Sequence, residues 1–451
     1  MNFSNYRCDN SKCYDDLNNK IYDKITGESY EKDFEEQCEN FDIRPTIIPH
    51  KERIIAIGDV HGDINKCIDC LKIANVIEEV NIINLLQSGV KIKEYLHNLT
   101  IKNNKSIRLD KTENEKTSYA DISDTTQNQF NLVYRYYKIN NEYYVKIIHN
   151  TNIKWFKWIG GNTYVVQVGD QIDRCRSYFD NGCLKEDATI NDEDSDLEIM
   201  LFLDSLGKLA RKYGGDVNSL LGNHEIMNVK GDMRYVSYKG LIGYSPEHDI
   251  KTGIKNRTNA FKTIIAKKMA CTRLTVLVIG DYIFVHGGIA LDLAYKYKLI
   301  DINSIIHKFL FDPSKRNDDI YTLLESSRFS PLWYRKLAFI PNDVQHGNQL
   351  NKHCKDYDKT INQLNKTNNY QISSEPTINI KGMVIGHTPS FTVFPNSNDI
   401  TKTCNDTLFK IDVGISDAFN DFSNNITRKP QVLEILTNLK TKESTHNILK
   451  Y

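Results

Sequence analysis

Along the chain, apolar and polar positions fall into a recurring unit. A short β-rich run ends in a sharp polar turn, and apolar positions then recur at three and four. The first copy is Arg53–Ile57, followed by Gly58-Asp59 and by Ile64, Cys67, Ile68, Leu71 and Ala74 at helical spacing. The second is Thr163–Val168 running into Gly169-Asp170, and the third is Val217–Leu221 running into Gly222-Asn223-His224. Between the last two, Ser195-Asp196-Leu197-Glu198 reads as a capping box that opens a helix. Leu197, Met200, Leu201, Leu209, Ala210 and Tyr213 supply its apolar face, and Gly214-Gly215 stops it. Strand, helix, strand is a right-handed crossover, so this sheet is expected to be parallel. Arg273–Ile279, Tyr282–Val285, Gly382–Ile385, Leu408–Val413 and Val432–Leu436 predict a second sheet with antiparallel pairs. Each polar turn sits at the carboxyl end of a buried strand, where open α/β sheets place their ligands.

Asp59 and Asp170 are 111 positions apart, far more than one helix and one strand need. The surplus predicts an insertion at about 89–160. It begins in charged, Asn-rich sequence, and Phe130–Ile148 then carries a β-hairpin signal around Asn140-Asn141. A second Asn/Lys-rich region, about 340–375, reads as a loop. The expected organisation is a polar extension at 1–45, one domain at 46–440 holding the insertion, and a tail at 441–451.

Composition narrows the function classes. The 58 Lys and Arg balance the 58 Asp and Glu, so there is no general attraction to nucleic acid or to an anionic membrane. No apolar stretch approaches the ~20 residues of a membrane span, and the amino terminus lacks a signal-peptide pattern. A soluble, cytoplasmic protein is expected. The ten cysteines are too dispersed for a disulfide scaffold and read as free buried thiols in a reducing compartment. Cys67 and Cys70 lie on a helical apolar face. The spacing of Cys175 and Cys183 allows them to meet in a loop without requiring it.

The chemistry lies in five motifs. They are Gly58-Asp59-Val60-His61-Gly62, Gly169-Asp170-Gln171-Ile172-Asp173-Arg174, Gly222-Asn223-His224-Glu225, His286-Gly287-Gly288 and Gly386-His387-Thr388. Asp59, His61 and Asp170 would hold one divalent ion, with Asp170 bridging to a second held by Asn223, His286 and His387. Imidazole and carboxylate suit Mn, Fe or Zn. Two ions ~3.5–4 Å apart clamp an in-line displacement at phosphorus and generate the attacking hydroxide. His224 would protonate the leaving oxygen, Asp173 would hold its ring, and Arg174 would fork onto phosphate oxygens.

These motifs resemble those of the calcineurin-like metallophosphoesterase superfamily and its phosphoprotein phosphatase family. Gly160-Gly161, Leu220–Asn228, Gly231–Val236, Ser330–Arg335 and Ile411–Ser416 look closest to its Shewanella-like branch. The resemblance covers about 50–90 and 158–436. It implies an α/β fold, a two-sheet β-sandwich flanked by helices (αββα), with a hairpin-containing insertion. It also implies a bimetal site with metal roles for the six ligands, and hydrolysis of phosphomonoesters in phosphoproteins or phosphopeptides. Serine/threonine phosphatase activity leads. Phosphotyrosine phosphatase and dinucleoside polyphosphate hydrolase are the alternatives, and an inactive binding module ranks last. Arg335 is placed to give a second phosphate-binding arginine, with Arg234 and Arg328 as rivals. The family's glycine after Asp-Arg is Cys175 here, which would strain a positive-φ position.

Overall fold

The computed structural model describes residues 43–81, 152–176, 182–341, 347–368, 379–394, 397–420 and 428–451. It also describes Cys38, Phe41 and strand segments at 7–9, 12–15, 20–23, 29–31, 93–97, 134–139 and 142–149. Two sheets form the sandwich. In the first, the order is Asp216–Ser219, Tyr164–Gln167, Arg53–Ile57, Gln431–Thr437, Ser444–Lys450. Its first three strands are parallel, as the crossover pattern predicts, and Gln431–Thr437 runs antiparallel to both of its neighbours, Arg53–Ile57 and Ser444–Lys450. In the second, the order is Thr401–Thr403, Leu408–Lys410, Gly382–Ile385, Tyr282–Val285, Val276–Ile279, Ile47–Ile48.

Period-two alternation sorts the second sheet's side chains. Leu277, Ile279, Phe284, Val384 and Phe409 pack with Ile54, Val165 and Val432 of the first sheet. Val276, Val278, Ile283, Val285, Met383 and Ile385 face the other way. They pack against helices that carry Leu293, Ile302, Ile306, Phe309, Tyr357 and Leu364. Each fully buried Val, Leu, Ile or Phe contributes roughly 1.5–3 kcal/mol, which anchors the strand ends that carry the polar motifs.

The helices Ile64–Ile73 and Asp196–Ala210 join the first sheet's core through Ile64, Cys67, Leu71, Ile199, Phe202 and Leu206. Asp63 caps the first of these helices by accepting from Lys66 N at 3.0 Å. Gly214, at φ 83°, closes the turn after the second. Ser195 does not cap in the expected way. Its hydroxyl donates instead to Gly62 O at 2.8 Å, tying this helix to the first motif.

The insertion region contributes an antiparallel sheet in the order Ile77–Val80, Asn152–Trp158, Glu142–His149, Tyr134–Ile139, Lys93–His97. Ile139 pairs with Glu142, matching the hairpin signal at Asn140-Asn141. Val145, Ile147 and Phe156 are buried in the same core as Phe202, with the Phe156 and Phe202 rings 5.6 Å apart. Residues 98–133, where the charged, Asn-rich sequence falls, lie outside the described residues.

The structure corrects several expectations. The region 340–375 is not simply a loop, because Gly347–Thr367 is a helix. Its Asn/Lys-rich composition hides a stripe of Cys354, Tyr357, Ile361 and Leu364 at helical spacing, all buried. Val432–Leu436 falls in the first sheet rather than the second. Residues 444–450, expected as a tail, pair along Gln431–Thr437 as an edge strand. The expected polar extension carries a four-stranded meander. Free thiols were expected throughout, yet Cys38–Cys271, Cys175–Cys183 and Cys354–Cys404 are disulfides, while Cys67 and Cys70 are free and buried. Folding brings these pairs to Cα separations of 5.4, 5.9 and 5.5 Å, within bonding range. Disulfides persist in oxidising surroundings, so the argument for a reducing compartment loses its premise. Among the described residues no helix is long and apolar enough to cross a membrane.

Candidate metal centre

The five motifs converge at the carboxyl ends of their strands, laced together by the backbone. Val60 N and His61 N both donate to Asp170 O, at 3.1 and 3.0 Å, and Gly386 N donates to His286 O at 2.8 Å. His61, Asp170, Asp173 and His387 all have positive φ, of 42°, 53°, 72° and 68°. Such conformations cost of order 1–3 kcal/mol each and persist where the surroundings over-determine them. Cys175 is not among the positive-φ residues, so replacing the family's glycine strains nothing there.

Two glycines matter for close approach. A Cβ at Gly222 would lie 2.1 Å from Asp170 Oδ1, and one at Gly386 would lie 2.3 Å from Asp59 Oδ1. No other residue lets both carboxylates sit this close to the chain.

Asp170 is central. Its Oδ2 lies 3.2 Å from His286 Nε2, 3.9 Å from His61 Nε2 and 3.8 Å from His224 Nε2. Two groups emerge with ligand atoms mutually within 4.8 Å: His61, Asp170 and His224, and Asp170, His286 and His387. Asp59 Oδ2 lies 3.9 Å from His61 Nε2, and both its oxygens accept from His387 N. Asn223 Oδ1 lies 3.0 Å from His286 Nε2, whose other ring nitrogen is 3.0 Å from Val168 O. All six expected ligands are buried together.

The charges call for a cation. Burial, then Asp412 and Asp170, pushes the Asp59 carboxyl well above the carboxylate range. Burial would also raise Asp170, but His286 and His224 together hold it well below. Burial and then His286 drive His387 well below the ordinary histidine value, and its Nε2 is buried without a hydrogen-bond partner. An orphaned imidazole nitrogen beside carboxylates that repel one another suits a divalent ion.

His224 Nδ1 lies 2.7 Å from Asp173 Oδ2, leaving Nε2 toward Asp170. Asp173 is held in turn by Asn228 Nδ2 at 2.8 Å, and Arg257 lies 3.6 Å away. The arginines divide. Arg174 is buried and committed elsewhere, with Nε on Glu193 at 3.0 Å, Nη1 on Ser416 Oγ at 3.1 Å and Nη2 3.4 Å from Asp63. Arg335 Nη1 reaches His387 O and Thr388 Oγ1, both at 3.0 Å, on the second group's side. The side chain of Arg234 is 70% exposed and pairs with Asp232, though the next residue, Tyr235, stacks 5.0 Å from the His224 ring. Arg328 is exposed beside Phe329.

Sequence reasoning assigned no role to three further groups. Glu225 accepts from the backbone N–H of Asp170, Gln171 and Gly222 at 3.0, 2.8 and 2.7 Å. The Asp412 carboxyl, pushed by burial up to about 6, keeps Oδ2 buried and unpartnered. Arg176 stands against the His61 ring. The first two lie inside quoted stretches, so their place was visible and their task was not. Arg176 follows the departure at Cys175 and carried no signal.

A calcineurin-like phosphoesterase family model matches residues 120–391, more than half of the chain. Asp170, Asn223, His224, His286 and His387 lie inside that span, while Asp59 and His61 precede it. An uncharacterized protein of Acanthamoeba polyphaga mimivirus is 38% identical over 258 residues, covering 52% of this chain and 94% of that protein. Shewanella-like protein phosphatase 2 of Arabidopsis thaliana is 27% identical over 330 residues, covering 65% of this chain and 71% of that one. The structure of a cold-active protein-tyrosine phosphatase of a psychrophile Shewanella species aligns over 91% of this chain and 84% of that one. The identity is 18% and the TM-score 0.47.

Proposed function

The chain belongs to the calcineurin-like phosphoesterase family, and from that premise we propose that it is a two-metal phosphoprotein phosphatase. The enzyme is a hydrolase. The proposal adds the substrate and the division of labour among residues. Its main support is Asp170, one carboxylate within 4 Å of three imidazoles and shared by both ligand groups.

Asp59, His61 and Asp170 would hold one divalent ion, and Asp170, Asn223, His286 and His387 would hold the other. Mn, Fe or Zn suits these donors. Bound ions neutralise phosphoryl oxygens and acidify the attacking water. As an imidazolium His224 would deliver the Nε2 proton to the leaving oxygen, with Asp173 accepting from Nδ1–H and stabilising that charge. Arg335 reaches toward the phosphate from the His387 side, and exposed Arg234 meets the surrounding peptide. Arg174 serves indirectly, joining Asp63 to Glu193 beneath the first motif. The catalytic unit is residues 46–440 together with the Ser444–Lys450 strand.

Phosphoserine and phosphothreonine peptides are the leading substrates. A second reading, phosphotyrosine, draws on Tyr235 and Phe419, half-buried rings beside His224 and His61. The test is hydrolysis of phosphoserine, phosphothreonine and phosphotyrosine peptides and a dinucleoside tetraphosphate by metal-loaded protein. Turnover of the dinucleotide alone would replace the protein-phosphatase reading.

A further inference from the structure

We infer that Arg176 is the phosphate-binding arginine supplied by the second motif, in place of Arg174. The inference rests on the phosphatase reading above. Every nitrogen of the Arg174 guanidinium already has a partner. Its Nε, Nη1 and Nη2 are taken by Glu193 Oε2 at 3.0 Å, Ser416 Oγ at 3.1 Å and Ile190 O at 3.3 Å, with Asp63 3.4 Å from Nη2. Two carboxylates already answer its charge. Turning it toward the ligand groups would strand both of them, buried, without a counter-ion.

Arg176 is the reverse case. Nη1 donates to Asp173 O at 3.0 Å and Cys175 O at 2.7 Å, which fixes the guanidinium at the motif's own backbone. Its Cζ lies over the Tyr235 and Phe419 rings, 5.2 and 4.9 Å from their centres. Among the described residues no carboxylate lies within ion-pair distance of it. Cys175, directly before it, is tied to Cys183, which pins the backbone that carries it. A half-buried, aromatic-walled guanidinium with no counter-ion among the described residues is a site for an oxyanion.

Its remaining contact points the same way. Nη2 meets His61 Nδ1. A neutral imidazole has one nitrogen lone pair available in the ring plane. His61 Nε2, which faces Asp59 and Asp170, needs that lone pair to bind an ion. Nδ1 then carries the proton, and Ile172 O, 3.3 Å away, accepts it. Arg176 then has no acceptor on His61, and Nη2 is left without a partner among the described residues. The His224 ring is 4.9 Å from His61, so a phosphate beside Arg176 also lies beside the candidate acid.

The test is titration calorimetry of inorganic phosphate into manganese-loaded protein, with KM and kcat for a phosphopeptide and bound manganese measured alongside. R176A should weaken phosphate binding and raise KM roughly 10–100-fold, the loss of one charged, bidentate contact. Its manganese content should be unchanged. R176K should recover part of the affinity, because a point charge cannot fork. R174A should lower the melting temperature more than R176A does. Phosphate affinity within twofold of wild type in R176A would overturn the inference. So would loss of manganese from R176A with phosphate affinity intact, because Arg176 would then only stabilise the ligand groups. Loss of fold in R176K as well as R176A would assign Arg176 to structure and overturn it too. Phosphate bound through Arg176 by a wild-type protein that turns over no phosphopeptide would sink the phosphatase reading and leave this one standing.

Discussion

Glu225 shows how the fold holds the metal centre, and replacing it with glutamine measures that hold. The side chain is fully buried. Oε2 accepts from Asp170 N at 3.0 Å and Gly222 N at 2.7 Å, and Oε1 accepts from Gln171 N at 2.8 Å. Glutamine has nearly the same shape. Its carbonyl oxygen takes the two-donor position, which leaves its amide NH2 facing the Gln171 N–H with no acceptor between them. One charged hydrogen bond is lost, two become neutral, and both the Gln171 N–H and the new amide NH2 are buried without an acceptor. Charged acceptors contribute roughly 1.5–3 kcal/mol against about 0.5–1.5 for neutral ones, and an orphaned donor costs roughly 1–3. Burial, then Asp170, raises the Glu225 carboxyl above its ordinary value, so removing the charge offsets part of this loss. The net destabilisation expected for Glu225→Gln is about 2–4 kcal/mol. Asp170, held at φ 53°, loses the carboxylate that fixes its backbone, so manganese affinity should fall ~10–100-fold. Urea unfolding of ion-free protein gives the first number, and manganese binding gives the second. A change below about 0.5 kcal/mol with unaltered manganese affinity would refute the reasoning.

His224→Asn should keep both ions and lose ~10²–10⁴ in kcat on an alkyl phosphate, with a smaller loss on p-nitrophenyl phosphate, whose leaving group needs little protonation. Asp173→Asn should follow more weakly; equal losses on both substrates, or loss of an ion from His224→Asn, would make His224 a ligand, as its place in the first group allows. His97 and Tyr134 are directly paired, so replacing residues 98–133 with Asn-Gly should close a hairpin and leave aryl phosphate hydrolysis intact; loss of both activity and fold would show that the segment is a core element. His307 is buried on the helix Leu299–Phe311, outside the five motifs, with its value lowered by burial to about 4. Between pH 6.5 and 4 the unfolded chain binds the proton and the folded one does not, so His307 should cost about 2 kcal/mol of stability as the pH falls from 7 to 5. His307→Gln should flatten that slope in urea unfolding at the two pH values, and an unchanged slope would contradict it.

The strand ends that carry Asp59, Asp170 and Asn223 were legible because an apolar run ending in Gly-Asp or Gly-Asn is a local pattern. His286 and His387 were legible just past the ends of buried strands. Ser195 misled, because a capping signal is local and Gly62 O, 133 positions away, took its hydroxyl. The Gly347–Thr367 helix was hidden by its polar majority, although four buried positions suffice to dock it. Disulfide pairing across 233 and 50 positions depends on the finished fold and leaves no trace in spacing. The surroundings of the arginines were hidden for a similar reason. Adjacency to Asp173 made Arg174 look like the phosphate fork, but only the structure shows Glu193 and Asp63 closing on it.

The central claim is that two ions shared through Asp170 hydrolyse phosphomonoesters. It is tested most directly by phosphopeptide turnover during manganese titration of ion-free protein, wild type beside Asp170→Asn. The account predicts that wild-type turnover rises and saturates at two equivalents per chain, and that Asp170→Asn shows none because a neutral amide bridges two cations poorly. Saturation at one equivalent, or near-normal turnover by Asp170→Asn with two ions bound, would contradict it.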